Sequence, residues 1–161
     1  MSQTSPLPSP SPSHDEMRLA APNNGVITAR LLGYGGLCPF VFLAAATMLE
    51  LRTPFAPPAP LLIGYGAVIL SFVGALHWGA QLSANQARAS RFIWSVVPAL
   101  LGWISLFLPA MAAATCLIIG LIICWSYDMR LIKRGEWPLF MRGLRTILTL
   151  IACLSLSVVF I

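Results

Sequence analysis

Apolar residues run in five long blocks along this chain, each closed by a short polar or Pro/Gly-rich break. The blocks fall at about 31–49, 61–82, 92–108, 111–127 and 144–161. Each holds about 17–22 residues, enough at 1.5 Å per residue to cross about 30 Å of hydrocarbon. Water is absent at that depth, so each block must pair its own backbone N–H groups, which predicts helices. Strict apolar–polar alternation is missing, which argues against an outer-membrane barrel. The third and fourth blocks are separated only by Pro109 and Ala110. A single helix of their joint length would exceed the bilayer, and Pro109 lacks an N–H, so a tight hairpin is expected there. The pattern predicts an all-α polytopic membrane protein with five transmembrane helices.

Ahead of the blocks the chain is rich in Ser and Pro, with Asp15 and Glu16 and no apolar core. Such a stretch buries too little surface to offset its ordering entropy. Residues 1–28 are therefore expected to form a disordered cytoplasmic tail, and residues 29–161 a five-helix transmembrane domain. The tail lacks the charge pattern of a signal peptide or of an Arg-rich transit peptide. A bacterial inner (plasma) membrane is the expected location, with the mitochondrial inner membrane as the alternative.

Composition agrees. Of 161 residues 58% are hydrophobic and 9% charged, with a mean hydropathy of +0.82. A soluble domain carries about 25% charged residues. This excludes a cytosolic enzyme or a nucleic-acid-binding domain as a description of the whole chain. The few charges are informative by position. Nine of the ten basic residues (Arg18, Arg30, Arg88, Arg91, Arg130, Lys133, Arg134, Arg142 and Arg145) fall on one side of the five-span arrangement, and Arg52 alone on the other. The positive-inside rule then predicts the N-terminus inside and the C-terminus outside. The cysteines Cys38, Cys116, Cys124 and Cys153 all lie in apolar blocks with no metal-binding spacing, and read as small apolar fillers.

Small residues replace the hydrophobic effect at helix contacts in lipid. The second block carries Ala67, Ser71, Ala75 and Gly79 at i+4 spacing, and the fourth carries Ala112, Cys116, Gly120 and Cys124. These ridges predict that the second and fourth helices are central. Pro39 and Pro98 are expected to kink the first and third helices. Leu32-Gly33-Tyr34-Gly35-Gly36 echoes Ile63-Gly64-Tyr65-Gly66-Ala67. Five spans cannot form two equal halves, so the echo reads as two Gly-rich helix starts.

His77 is the one ionisable side chain expected well inside a span, where such groups are costly. Gln81 follows one turn later, and both share a wheel face with Leu70 and Gly74. His77 reads either as a histidine bonded to a neighbouring helix or as a proton-relay or ligand-binding residue. Haem ligation is disfavoured, because the second histidine, His14, lies in the tail. The other polar concentration is the 128–145 loop. Asp128 ends the fourth block, with Arg130, Arg142 and Arg145 as candidate partners. Gly135 suits a turn, and Trp137-Pro138 an interfacial anchor. Anionic lipid headgroups fit this basic loop. Catalytic motifs are absent from the sequence, so no enzyme activity and no cofactor or metal is expected.

The chain resembles a known family in three places. Leu32-Gly33-Tyr34-Gly35-Gly36-Leu37-Cys38-Pro39-Phe40 is similar to its first-helix motif. The stretch from Tyr65 through Ser71-Phe72-Val73-Gly74-Ala75-Leu76-His77-Trp78-Gly79 is similar to its second-helix signature. Asp128, Arg130, Gly135, Pro138 and Leu144-Arg145 with Leu148-Thr149 resemble its basic loop and the entry to its last helix. The family comprises small multi-pass membrane proteins of unknown function, widespread in proteobacteria, with mitochondrial-type relatives in eukaryotes. One departure is Phe140, where the family pattern has a Trp-Tyr pair. The resemblance implies fold and membrane location, and no activity. Two function classes follow: a non-enzymatic assembly, scaffold or lipid-contact factor, and a small oligomeric transporter or channel subunit using the His77 face. The expected partners are the lipid bilayer and a second copy or another membrane protein, with no nucleic acid.

Overall fold

The computed structural model describes residues 22–51, 56–83 and 88–161. The Ser/Pro-rich stretch before Pro22, with His14 and Arg18, lies outside the described residues, as does Arg52. Two units are distinguished, one ending at Leu32 and one running from Gly33 to Ile161. In the first, helix α1 (Pro22–Gly35) begins, six residues before the expected end of the tail. The second holds the end of α1 and helices α2 (Leu37–Met48), α3 (Pro58–Leu82), α4 (Ala89–Ser105), α5 (Ala110–Lys133) and α6 (Phe140–Ser157), closed by a 3-10 turn at Val158–Phe160.

Four helical stretches are long and apolar enough to cross a membrane: Gly25–Met48, Pro58–Leu82, Ala110–Lys133 and Phe140–Phe160. The fifth, Ala89–Ser105, is a shorter apolar helix. The protein is thus an all-α, multi-pass membrane protein. Large apolar side chains stay exposed on the outer faces, among them Val68, Phe72, Ile93, Leu100, Ile119 and Leu154, as lipid contact requires.

The helix ends follow from local chemistry. Pro58 opens α3 in its first turn, where its missing N–H would have no partner anyway. Pro109 is the N-cap of α5 and accepts the N–H of Ala113, so the expected hairpin forms between α4 and α5. In the first span the chain breaks at Gly36, whose N–H bonds Gly33 at 3.1 Å. Pro39 sits three residues beyond the break, in the opening turn of α2, where it removes no helical bond. The Tyr65 hydroxyl donates to the Gly36 carbonyl at 2.7 Å, and its ring meets Phe40 edge-on at 4.9 Å. The echoed Gly-Tyr-Gly segments are therefore in contact, with Tyr65 of one docked on the glycine of the other.

Helix α3 packs against α2, α4, α5 and α6, while α5 packs against α3, α4 and α6. The two ridge-bearing helices are central as expected, but the ridges pack only in part. Ala67 is buried and Ser71 half-buried, whereas Ala75 and Gly79 are exposed. A Cβ placed on Gly79 would meet nothing within 4 Å. The physical reason is drift: four residues turn about 400°, so an i+4 ridge rotates about 40° per step and leaves the interface after two turns. The same holds on α5, where Ala112 is exposed, Cys116 half-buried, and Gly120 and Cys124 buried. A Cβ at Gly120 would come within 2.8 Å of Leu70.

The tightest approach is between α3 and α4. A Cβ on Gly74 would collide with the Ser95 carbonyl, and would reach the Pro98 ring at 3.3 Å. A Cβ on Gly102 would lie 2.8 Å from the Ala67 carbonyl and 3.0 Å from Ser71 Oγ. Around this seam Phe40, Leu62, Leu70, Leu117 and Leu156 are fully buried and form the centre of the core.

Candidate functional site

One face of α3 carries Leu70, Gly74, His77 and Gln81, all buried, at the spacing of a helical stripe. Its upper half closes the core and its lower half carries the polar groups. His77 is 4% exposed and its Nδ1 lies 3.0 Å from the Val73 carbonyl. A carbonyl can only accept, so Nδ1 carries the hydrogen and donates it. The other ring nitrogen turns to α5, where Nε2 lies 2.8 Å from Oδ1 of Asp128. This is ion-pair distance without hydrogen-bond alignment. Neither atom has an aligned hydrogen-bond partner.

Asp128 is wholly buried and is held from its other side. Arg145 on α6, 5% exposed, donates from Nε to Asp128 Oδ2 at 2.5 Å. The sequence expectation placed Asp128 at the end of a helix and Arg145 beside a long loop. Instead α5 continues to Lys133 and α6 starts at Phe140, so both residues project from helices. Of the three candidate partners of Asp128, the pair is with Arg145. Arg130 and Arg142 are exposed. Arg130 lies two residues on from Asp128, about 200° around the helix.

The 128–145 loop thus shrinks to residues 134–139. Its start is set by Gly135, whose φ of +72° is accessible without a Cβ penalty. The Glu136 N–H bonds the Leu131 carbonyl and the Gly135 N–H bonds that of Ile132, each at 3.0 Å, which is the Schellman ending of a helix. The turn then folds inward. Trp137 is half-buried and lies over His77, with ring centroids 5.1 Å apart and planes 28° apart. It is a cover on the histidine rather than the interfacial anchor expected from the sequence. Tyr127 approaches His77 from α5 at 5.4 Å, and Trp94 from α4 meets the Tyr127 ring at 5.0 Å.

Two further contacts tie this end together. Arg91 on α4 pairs with Glu136 at 2.5 Å. Hydrogen bonding to Arg91 holds the Glu136 carboxyl below the usual carboxylate range, with Arg134 and Arg88 adding to the effect and burial opposing it. Gln81 accepts the backbone N–H of Arg88 at 3.3 Å, so it ties the residue ahead of α4 to the end of α3. Between these groups lies a cavity of about 10 Å³, lined by His77, Gln81, Arg91, Trp94, Tyr127 and Trp137. That volume holds about one water. The indole N–H of Trp94 is buried and has no hydrogen-bond partner among the described residues. Among those residues, no group of three or more His, Cys, Asp or Glu side chains could hold a metal ion.

His77, Gln81, Asp128 and Arg145 are therefore brought together, and Arg130 is not. Arg91, Trp94, Tyr127, Glu136 and Trp137 complete the site, and sequence reasoning assigned them no role in it. The i, i+3 spacing of Arg91 and Trp94 was a usable signal, but only with α4 starting at Ala89 rather than near Phe92.

Comparison with known proteins follows the same membrane description. The chain is 35% identical over 134 residues to Transmembrane protein 69 of Xenopus tropicalis, covering 80% of this chain and 51% of that protein. It spans about half the length of this curated relative. No solved structure matches. Residues 26–161 match the family described as "Protein of unknown function (DUF3429)", and the chain belongs to that family of membrane proteins.

Proposed function

We propose that the protein is a non-enzymatic assembly or scaffold factor of the membrane. One observation carries this reading. The polar groups that the helices bring into the bundle close on one another, with His77 4%, Asp128 0% and Arg145 5% exposed. They bind α3, α5 and α6 together and leave a space of about one water rather than a path. A buried pair of this kind is costly to break, by about 3–5 kcal/mol, so it favours a fixed frame. The exposed apolar faces then serve as contact surface for lipid or for another membrane protein. The basic end, with Arg130, Lys133, Arg134 and Arg142 exposed, suits anionic headgroups. The charge asymmetry favours that end inside, with N-terminus in and C-terminus out. A bacterial inner membrane suits this orientation, and the mitochondrial inner membrane is the alternative.

A second reading is a small oligomeric transporter or channel subunit that uses the His77 face. The cavity beside His77 favours it, as does the Trp94 indole N–H, which has no partner among the described residues. Cysteine labelling in native membranes separates the two. With a membrane-impermeant maleimide, His77→Cys is expected to stay unlabelled while Arg134→Cys, on the exposed turn, reacts. Labelling of His77→Cys at a comparable rate would overturn the scaffold reading and favour transport.

A further inference from the structure

We propose that His77 and Asp128 form a proton-binding site inside the bundle, served by a single water in the adjoining cavity. The inference holds under either reading of the function. It starts from the Val73 carbonyl, which lies 3.0 Å from Nδ1 and fixes the hydrogen there. In a neutral ring the lone pair is then on Nε2. That atom lies 2.8 Å from a carboxylate oxygen of a wholly buried aspartate. Two acceptor atoms with no hydrogen between them repel at that separation, and more strongly in a low-dielectric interior than in water. One proton on either atom turns the repulsion into attraction. The proton belongs to the pair rather than to one residue.

Rings, a carboxylate and two arginines surround the pair. From α5 the ring faces the Asp128 carboxylate and the Tyr127 ring, and from the 134–139 turn it faces Trp137. Aromatic faces attract a cation. Two cations lie nearby, and each has a carboxylate partner: Arg145 from α6 pairs with Asp128, and Arg91 from α4 with Glu136. No bond other than N–H or O–H changes. A hydronium in the cavity gives up a proton and remains as water. The cavity also supplies what such a water needs, since a buried water makes about three hydrogen bonds. His77, Gln81 and Tyr127 line it, together with Trp94, whose indole N–H is unpartnered among the described residues.

The test uses the full chain in lipid nanodiscs. The sequence contains two histidines, so His14→Gln leaves His77 as the sole imidazole. Nitrogen-15 spectroscopy of the ring and infrared spectroscopy of the carboxyl groups are followed from about pH 5 to about pH 8, the range in which histidine charge ordinarily changes. At the acidic side of that range one of two results is expected. Either both ring nitrogens carry hydrogen, or Nδ1 alone does and a protonated-carboxyl band is present that Asp128→Asn removes. A neutral ring together with an ionised Asp128 throughout the range would overturn the proposal. Where the proton sits on the ring, Asp128→Asn is expected to weaken proton binding at His77 tenfold or more. An unchanged His77 titration in that variant would equally overturn it. If Asp128→Asn does not fold, Asp128→Glu, which keeps the carboxyl but moves its band, makes the assignment in its place.

Discussion

Adding one methyl group to α3 separates a packed glycine from an unpacked one. At Gly74 the new Cβ meets the Ser95 carbonyl and the Pro98 ring, and at Gly79 it meets nothing within 4 Å. Both residues lie in the same helix, so Gly→Ala gives each the same gain in helix propensity, about 1 kcal/mol. That gain cancels in the comparison. What remains is the collision with backbone of α4, which cannot rotate away as a side-chain tip could. Overpacking of this kind costs about 1–3 kcal/mol. The Gly74→Ala variant is therefore expected to be less stable than Gly79→Ala by about 1–3 kcal/mol, or about 5- to 150-fold in the unfolding equilibrium. Reversible unfolding in mixed detergent–SDS micelles, read by helical circular dichroism, measures the difference. Equal stability of the two variants would refute the close approach of α3 and α4 at Ser95. It would instead support the i+4 ridge through Gly79 as the packed face.

Two helix ends give a reciprocal pair. Both α2 and α5 end in Schellman turns, with Glu50 at φ +49° in the first and Gly135 at φ +72° in the second. Glu50→Gly is expected to stabilise the protein, and Gly135→Ala to destabilise it, each by about 1 kcal/mol in the same unfolding assay. A shift of the same sign in both would refute the role of the left-handed residue. The Arg91–Glu136 pair supplies a pH dependence. The Glu136 carboxyl is held below its ordinary range by Arg91, so the pair contributes stability above that range and loses it as pH falls through it. Hydrogen exchange in the 134–139 turn is expected to rise on acidification below about pH 4, before the helix interiors loosen. Glu136→Gln is expected to be loosened already at neutral pH, and a Glu136→Gln profile matching the parent protein at every pH would refute the latch.

Membrane helices were legible because lipid imposes one simple condition on long apolar blocks. The ends were not, because a polar residue can continue a helix once its side chain finds a partner in another helix. Asp128 closed the fourth block by hydropathy, yet α5 runs on to Lys133 because Arg145 and His77 meet the carboxylate inside the bundle. Trp137 and Pro138 carry the composition of an interfacial anchor. Only the positive φ of Gly135 and the Arg91–Glu136 pair turn Trp137 back over His77. The small-residue ridges were legible as packing chemistry but not as a face, since spacing of four departs from the true helical period.

Correct ends would have made the site itself readable. His77 stands five residues before the end of α3, Asp128 five before the end of α5, and Arg145 five after the start of α6. At 1.5 Å per residue, each is about 7.5 Å in from the same end of the bundle. Consecutive spans reverse direction, so α3 and α5 finish at the end where α6 begins. Three polar residues at one depth on three mutually packed helices lie within reach of one another. A shift of one helix by a single turn, about 5.4 Å, would leave a charge unpaired in the interior. The cluster therefore sets the vertical register of α3, α5 and α6, which apolar packing against lipid-like surfaces specifies only weakly. A proton taken up between His77 and Asp128 consequently acts on the joint that holds the bundle in register.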